Sequence, residues 1–232
     1  MTATGPLRAA TSMATSMTLA DLSRSWSEAT GVAIALEATG GVTIVQRVRS
    51  GEVFDVVFLA DDLLATLERE GLILAGSRVG VADSAIALAV RKGAPRPDLS
   101  TGESVRDALR SARRIGYSSG PSGSHLKSLL LRWSVVAEIE KRLVQSPPGM
   151  PVARLLASGE ADIGIQQLSE LKNQPWIDVV GLLPAEIQRI TTFAGGIGGR
   201  STRAEDARDW LRYIVSGETA PVKRRHGLEP AA

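Results

Sequence analysis

The sequence contains no cysteine, which excludes disulfides, thiolate metal sites and a cysteine nucleophile. Its two histidines, His125 and His226, are too few for a multi-histidine metal centre. No apolar run approaches the ~20 residues that span a bilayer. Aromatic residues make up only 4% of the chain, and 27 basic residues against 25 acidic ones leave a net charge of +2. That balance, with no basic run interleaved with aromatics, argues against nucleic acid as a partner. The cluster Lys223-Arg224-Arg225 reads as a solvated helix end. The N-terminus lacks a basic start, an apolar core and a small-residue cleavage site. As written, the chain is therefore expected to be cytoplasmic, or periplasmic if an export signal is missing from the numbering.

The 232 residues, 44% hydrophobic and 22% charged, suit one large domain or two small lobes. Apolar periodicity alternates in type along the chain. Pro6 to Ala10 reads as an edge strand. A helix follows, with Met13, Met17, Leu22 and Trp26 on one side, and Gly31 stops it. Val32 to Ala38 is a strand, Thr39-Gly40-Gly41 a turn, and Val42, Val45 and Val48 share one face of a short helix. Phe54 to Ala60 is a near-continuous apolar run, as in a strand buried on both faces. Asp61 and Asp62 then start a helix at the end where carboxylates complement its dipole.

Ser84 to Val90 is expected to be a strand that leaves the first lobe. A second alternation follows, including Arg114 to Tyr117 as a strand, a helix from Ser124 to Trp133 and another over about 135–142. Ala161 to Gln166 and Gln188 to Phe193 are further strands, the latter closed by a flexible glycine loop at Gly195 to Gly199. A helix from Arg203 to Val215 carries Ala207, Trp210, Leu211 and Ile214 on one face. The expected architecture is α/β, with two lobes each built on a mostly parallel sheet flanked by helices. Residues 1–83 and 195–232 form the first lobe and 84–194 the second, with hinge strands near 84–90 and 188–193.

The stretch Tyr117-Ser-Ser-Gly-Pro-Ser-Gly-Ser-His125 is a strand, a small-residue turn and a helix start. Such a junction aims backbone N–H groups and small hydroxyls at an anion. Similar junctions occur at Ala10 to Ala14 and at Ala38 to Val42. Each residue also has a plainer reading. Ser12 is either an anion contact or a helix cap, and Gly40 and Gly41 serve a tight turn or a close ligand approach. His125 is either a proton carrier or a helix-start residue bonded to the core. Asp55 reads as a structural acceptor, and one of Gln166 and Gln167 is expected to face a cleft.

Together, the motifs Ala-Ala-Thr-Ser-Met (9–13), Ala-Thr-Gly-Gly (38–41), Ser-Gly-Glu-Val-Phe-Asp-Val-Val-Phe-Leu-Ala (50–60), Ser-Gly-Ser-His (122–125), Gly-Glu-Ala-Asp-Ile-Gly-Ile-Gln-Gln (159–167) and Gly-Leu-Glu-Pro (227–230) resemble the periplasmic solute-binding proteins of the molybdate-binding type. The resemblance spans essentially the whole chain. It implies a small anion held in an interlobe cleft by helix N-termini and hydroxyls, with no cofactor and no metal. By position it implies ligand contacts at Ser12, Thr39, Gly40, Gly41, Ala60, Ser122, Gly123 and Gln167. Glycines at 40 and 41 and glutamine at 167 depart from the serine-rich turn and the tyrosine of molybdate binders, and would suit a planar carboxylate. An exported form would hand its ligand to an ABC transporter membrane component. Some proteins with this fold are similar to aconitate isomerase and act on unsaturated carboxylic acids. For such an enzyme, His125 is the candidate base. A third reading is an intracellular ligand sensor.

Overall fold

The computed structural model describes residues 5–231. The chain divides into two compact units: one formed by residues up to Asp83 with those from Thr191 onward, the other by Ser84–Ile190. The first unit begins with β1 (Leu7–Ser12), α1 (Met13–Thr30), β2 (Ile34–Thr39), α2 (Gly41–Arg49), β3 (Val56–Ala60), α3 (Asp61–Arg69) and β4 (Val79–Ser84). The second holds β5 (Ile86–Arg91), α4 (Gly102–Ser111), β6 (Ile115–Tyr117), α5 (Pro121–Arg132), α6 (Val136–Ile139), β7 (Leu143–Gln145), α7 (Val152–Ser158), β8 (Ile163–Gln167), α8 (Leu168–Leu171) and β9 (Ile177–Leu182). The chain then returns to the first unit as β10 (Thr191–Ile197), α9 (Ala204–Val215), α10 (Ala220–Arg225) and β11 (Glu229–Pro230).

The first sheet has the order β11-β4-β10-β3-β1-β2 and the second β7-β6-β8-β5-β9. β1 pairs in parallel with both β2 and β3, so it is an interior strand and not the expected edge. Its burial explains why: Leu7, Ala9 and Ala10 are wholly covered. Three consecutive parallel strands direct α1, α2 and α3 to begin at one edge of the sheet. In the second unit β6 runs parallel to β7 and β8, which brings the ends of β6 and β8 to one edge there as well.

Two segments differ from the sequence expectations. The strand expected over Gln188 to Phe193 lies instead at Thr191–Ile197. The glycine run expected as a flexible loop supplies part of that strand. A Cβ at Gly195 would come within 2.6 Å of Phe58 and 2.7 Å of Leu211, so glycine is needed there for close packing. Trp210 meets Phe58 edge-on at 5.3 Å between ring centroids, an arrangement worth about 1 kcal/mol beyond area burial. The helix expected over 135–142 is one turn of α6 followed by a 3-10 turn at Glu140–Arg142. Asp55 accepts from the Arg8 amide at 2.9 Å and from Ser201 Oγ at 2.6 Å, the structural role its apolar surroundings require.

The basic cluster on α10 is not uniformly solvated. Lys223 is 1% exposed, and among the described residues no carboxylate is paired with it. Burial lowers its amine to about 8, because the charged form loses solvation. Below pH ~8 the amine is protonated in both folded and unfolded chains, so the penalty is present in full. It is relieved as pH rises from about 8 to about 10.5. Lys223→Met should therefore raise stability at pH 7 by roughly 1–3 kcal/mol. In urea unfolding, the advantage should shrink to nothing by pH 10.5.

Candidate functional site: uncapped helix starts at two sheet edges

In the first unit, the register Ser12↔Thr39 and Thr11↔Phe58 places the ends of β1, β2 and β3 side by side. Each strand passes directly into a helix, with Ser12, Gly40 and Ala60 as N-caps. None of the three provides a side-chain cap bond. Ser12, Thr39, Gly40, Gly41 and Ala60 are thereby brought together on one edge. The first-turn N–H groups of three helices converge there, where the helix dipoles favour negative charge. Asp61 and Asp62 occupy the first turn of α3, but Asp61 is paired with Arg78 and Asp62 accepts from its neighbour's amide.

Ser12 does not cap α1 with its side chain. Its Oγ is buried without a partner, although a serine at this position ordinarily accepts from the second or third helical N–H. The neighbouring hydroxyls are satisfied: Thr11 Oγ1 donates to Ser12 O at 3.1 Å and shares a 2.7 Å bond with Thr15. A buried hydroxyl left unpaired costs about 1–3 kcal/mol, so a ligand acceptor would recover what the fold leaves unused.

The turn at Gly40-Gly41 needs no glycine for backbone reasons. Gly40 has φ −64°, and Gly41 is absent from the left-handed residues. A Cβ at Gly41 would meet Leu59 at 3.4 Å, an ordinary contact. Small size here leaves room at the edge and is not demanded by the turn.

In the second unit, Ser122 and Gly123 form the first turn of α5, whose N-cap Gly120 has no side chain to cap it. Ser122 Oγ bonds Ser118 Oγ at 3.3 Å. A Cβ on Gly123 would fall 1.7 Å from the Ser118 carbonyl oxygen, so this glycine is obligatory. The register Tyr117↔Ile165 places Gln167, the last residue of β8 and N-cap of α8, at the same edge. The start of α4 offers a contrast, because Thr101 Oγ1 accepts from Ser104 N at 3.1 Å and Glu186 accepts from Gly102 N at 2.5 Å. The start of α4 is thus closed by its own threonine and a neighbouring glutamate, whereas α9 and α10 begin without a side-chain cap bond.

Gln166 and Gln167 face opposite ways, as strand alternation requires. Gln166 Oε1 accepts from Val152 N at 2.9 Å, and its Nε2 donates to Glu170 at 2.5 Å. Gln166 is thus committed to the start of α7, leaving Gln167 as the glutamine of the edge. Burial pushes the Glu170 carboxyl up to about 8. His125 Nε2 lies 2.7 Å from the Ile187 carbonyl. Because a carbonyl only accepts, Nε2 carries the proton and the ring ties α5 to the 3-10 turn at Ala185–Ile187. An open groove of about 970 Å³ also occurs in this unit, lined by Arg91, Arg96, Asp107 and Asp162. It is at the other end of β8 from Gln167 and holds none of the ligand contacts expected from sequence.

The model of the bacterial extracellular solute-binding proteins matches residues 7–229. The chain belongs to that family. An aconitate isomerase from Pseudomonas sp is 34% identical to this family member over 218 residues, covering 92% of this chain and 83% of the relative. The periplasmic molybdate-binding protein of Azotobacter vinelandii superposes with a TM-score of 0.83 at 19% identity, over 97% of this chain and 100% of that one. The binding protein AgtB from A. tumefacien R10, solved with agropinic acid, gives 0.72 at 15% identity over 98% and 83%. These two likenesses establish the fold: two α/β units of the periplasmic binding-protein type. Among the described residues, no helix is long and apolar enough to cross a membrane.

Several polar groups at these edges carried no sequence signal. Ser84, Ser146 and Ser169 are buried with unpartnered Oγ atoms, and Glu170 is a half-buried acid in a single helical turn.

The two glycines at the edges should respond oppositely to the same change. Gly123→Ala should lose several kcal/mol or fail to fold, since backbone must move to admit the methyl group. Gly41→Ala should keep stability within about 1 kcal/mol. Thermal unfolding of the two variants checks both.

Proposed function

We propose that the protein reversibly binds a small organic anion through its carboxylate oxygens, as a solute-binding protein. The observation that carries this reading is the buried, unpartnered Ser12 hydroxyl beside three helix starts without side-chain caps. Helix dipoles and neutral donors stand in for a cation, so binding needs no metal or basic side chain. Selectivity then follows from room and donor placement. The glycine at 41 leaves room for a planar group. Delivery to an ABC transporter membrane component goes with this reading.

A second reading is catalytic, and the relative named aconitate isomerase favours it at 34% identity. The same donors would hold the carboxylates of an unsaturated acid and stabilise the charge that spreads into them as a proton leaves carbon. The double bond moves as a proton returns elsewhere, so no oxidant or reductant is needed. His125 is the proposed base through Nδ1, the ring atom its bond to Ile187 leaves free to accept.

A thermal-shift screen of molybdate, sulfate and di- and tricarboxylates should show a concentration-dependent rise in melting temperature for carboxylates. Ser12→Ala should weaken binding about tenfold or more, as for a hydrogen bond to a charged group. No shift with any anion contradicts the reading. For the catalytic alternative, an unsaturated tricarboxylate should gain solvent deuterium, and His125→Ala should abolish that exchange while retaining the thermal shift. Exchange undiminished in the variant removes His125 from the role.

A further inference from the structure

The second unit contains a donor that the sequence motifs do not point to. Ser84 is 0% exposed, and its Oγ has no hydrogen-bond partner. Its place follows from strand pairing. β5 runs antiparallel to β8 with Ile86 opposite Gln167, and the pairing continues one step further, since Leu168 N donates to Ala85 O at 2.8 Å. Ser84 ends β4, and only Ala85 separates it from β5; alternation carried back through that residue puts Ser84 on the side of Ile86, while Gln167 lies on the same face as Ile165. Ile86 and Ile165 both belong to the apolar cluster under α5, with Tyr117, Leu126 and Leu129. Ser84, Gln167 and the start of α5 therefore share one face and one sheet edge.

We infer that Ser84 is a ligand-binding donor and that the ligand is an extended polycarboxylate with acceptor groups at two separated points. This rests on the anion-binding function proposed above and deepens it. The argument is one of width. The Ser118–Gly123 turn follows β6, Gln167 ends β8 and Ser84 leads into β5, and these strands are neighbours in the order β6-β8-β5. Two inter-strand gaps separate the outer donors by roughly 9.5 Å. A tetrahedral oxyanion held at the start of α5 cannot also reach Ser84. A carbon chain of four to six atoms with carboxylates at each end can, with Gln167 beside its middle. The unused hydroxyl is then the far anchor, and it discriminates by length.

Ser146 supplies an internal comparison. It is 2% exposed and equally unpartnered. Gln145 accepts from Tyr117 Oη at 3.0 Å and so shares the face of α5. Ser146, one residue on, turns to the opposite face, where Gly116 and Gly164 meet α7. Burial and an unpaired hydroxyl alone would treat the two serines alike, whereas the width argument separates them.

The test is calorimetric titration of the full chain with molybdate, acetate, succinate and propane-1,2,3-tricarboxylate. The unmutated protein should bind the tricarboxylate or succinate most tightly. Ser84→Ala should weaken those two by about tenfold or more and leave any molybdate or acetate affinity within twofold. Ser84→Thr, which keeps the hydroxyl, should restore at least part of the loss, and Ser146→Ala should bind like the parent. Melting temperatures without ligand check that each variant is folded. Equal weakening for every anion, or unchanged tricarboxylate binding by folded Ser84→Ala, overturns the inference while leaving anion binding intact. Failure of the unmutated protein to bind any of the four overturns the functional reading, and this inference with it.

Discussion

Unsatisfied backbone donors at helix starts are the constraint on which the site depends. A helix leaves its first N–H groups without internal acceptors, and this chain fills that need selectively. α4 is capped by Thr101 and Glu186, and α7 has its first amide taken by Gln166. At the ends of β1, β2, β3 and β6 the caps are a serine whose hydroxyl makes no cap bond, two glycines and an alanine. Parallel strands make this systematic, because they start their helices at one edge. The result, in each unit by itself, is a cluster of partial positive charge built without lysine or arginine.

Glycine does two different jobs around that cluster. Gly123 and Gly195 are fixed by contact, one against a carbonyl and the other between Phe58 and Leu211. Those positions belong to the scaffold, and any side chain there displaces backbone or core. Gly41 carries no such demand. Its smallness is better assigned to what occupies the edge than to what supports it. Gln166, by contrast with Gly41, is spent on the scaffold, on α7 and Glu170.

The α/β fold class was legible because buried parallel strands leave strong apolar runs, and Val56–Ala60 is the plainest of them. Helix starts at Ser12, Gly40 and Ala60 were legible from small residues following such runs. The strand position of β1 was misread because Arg8 and Pro6 look like edge chemistry, while Arg8 spends its charge on Glu37 of β2 and on Glu52. The strand through Gly195 and Gly196 was missed because glycine reads as flexibility until Phe58 and Leu211 are known to press on it. Lys223 looked solvated because its two basic neighbours are. Ser84 and Glu170 depend on pairing across β5 and β8, which no local pattern encodes. The histidine that looked chemical by position is held by a main-chain carbonyl.

The central claim is that anions are held by backbone donors at these helix starts. Amide-resolved NMR titration with a tricarboxylate tests it most directly. The largest shifts should fall on the first-turn amides of α1, α2, α3 and α5, including Ala14, Val42, Asp62 and Gly123. Shifts confined to other regions, such as the groove lined by Arg91 and Arg96, would contradict the account.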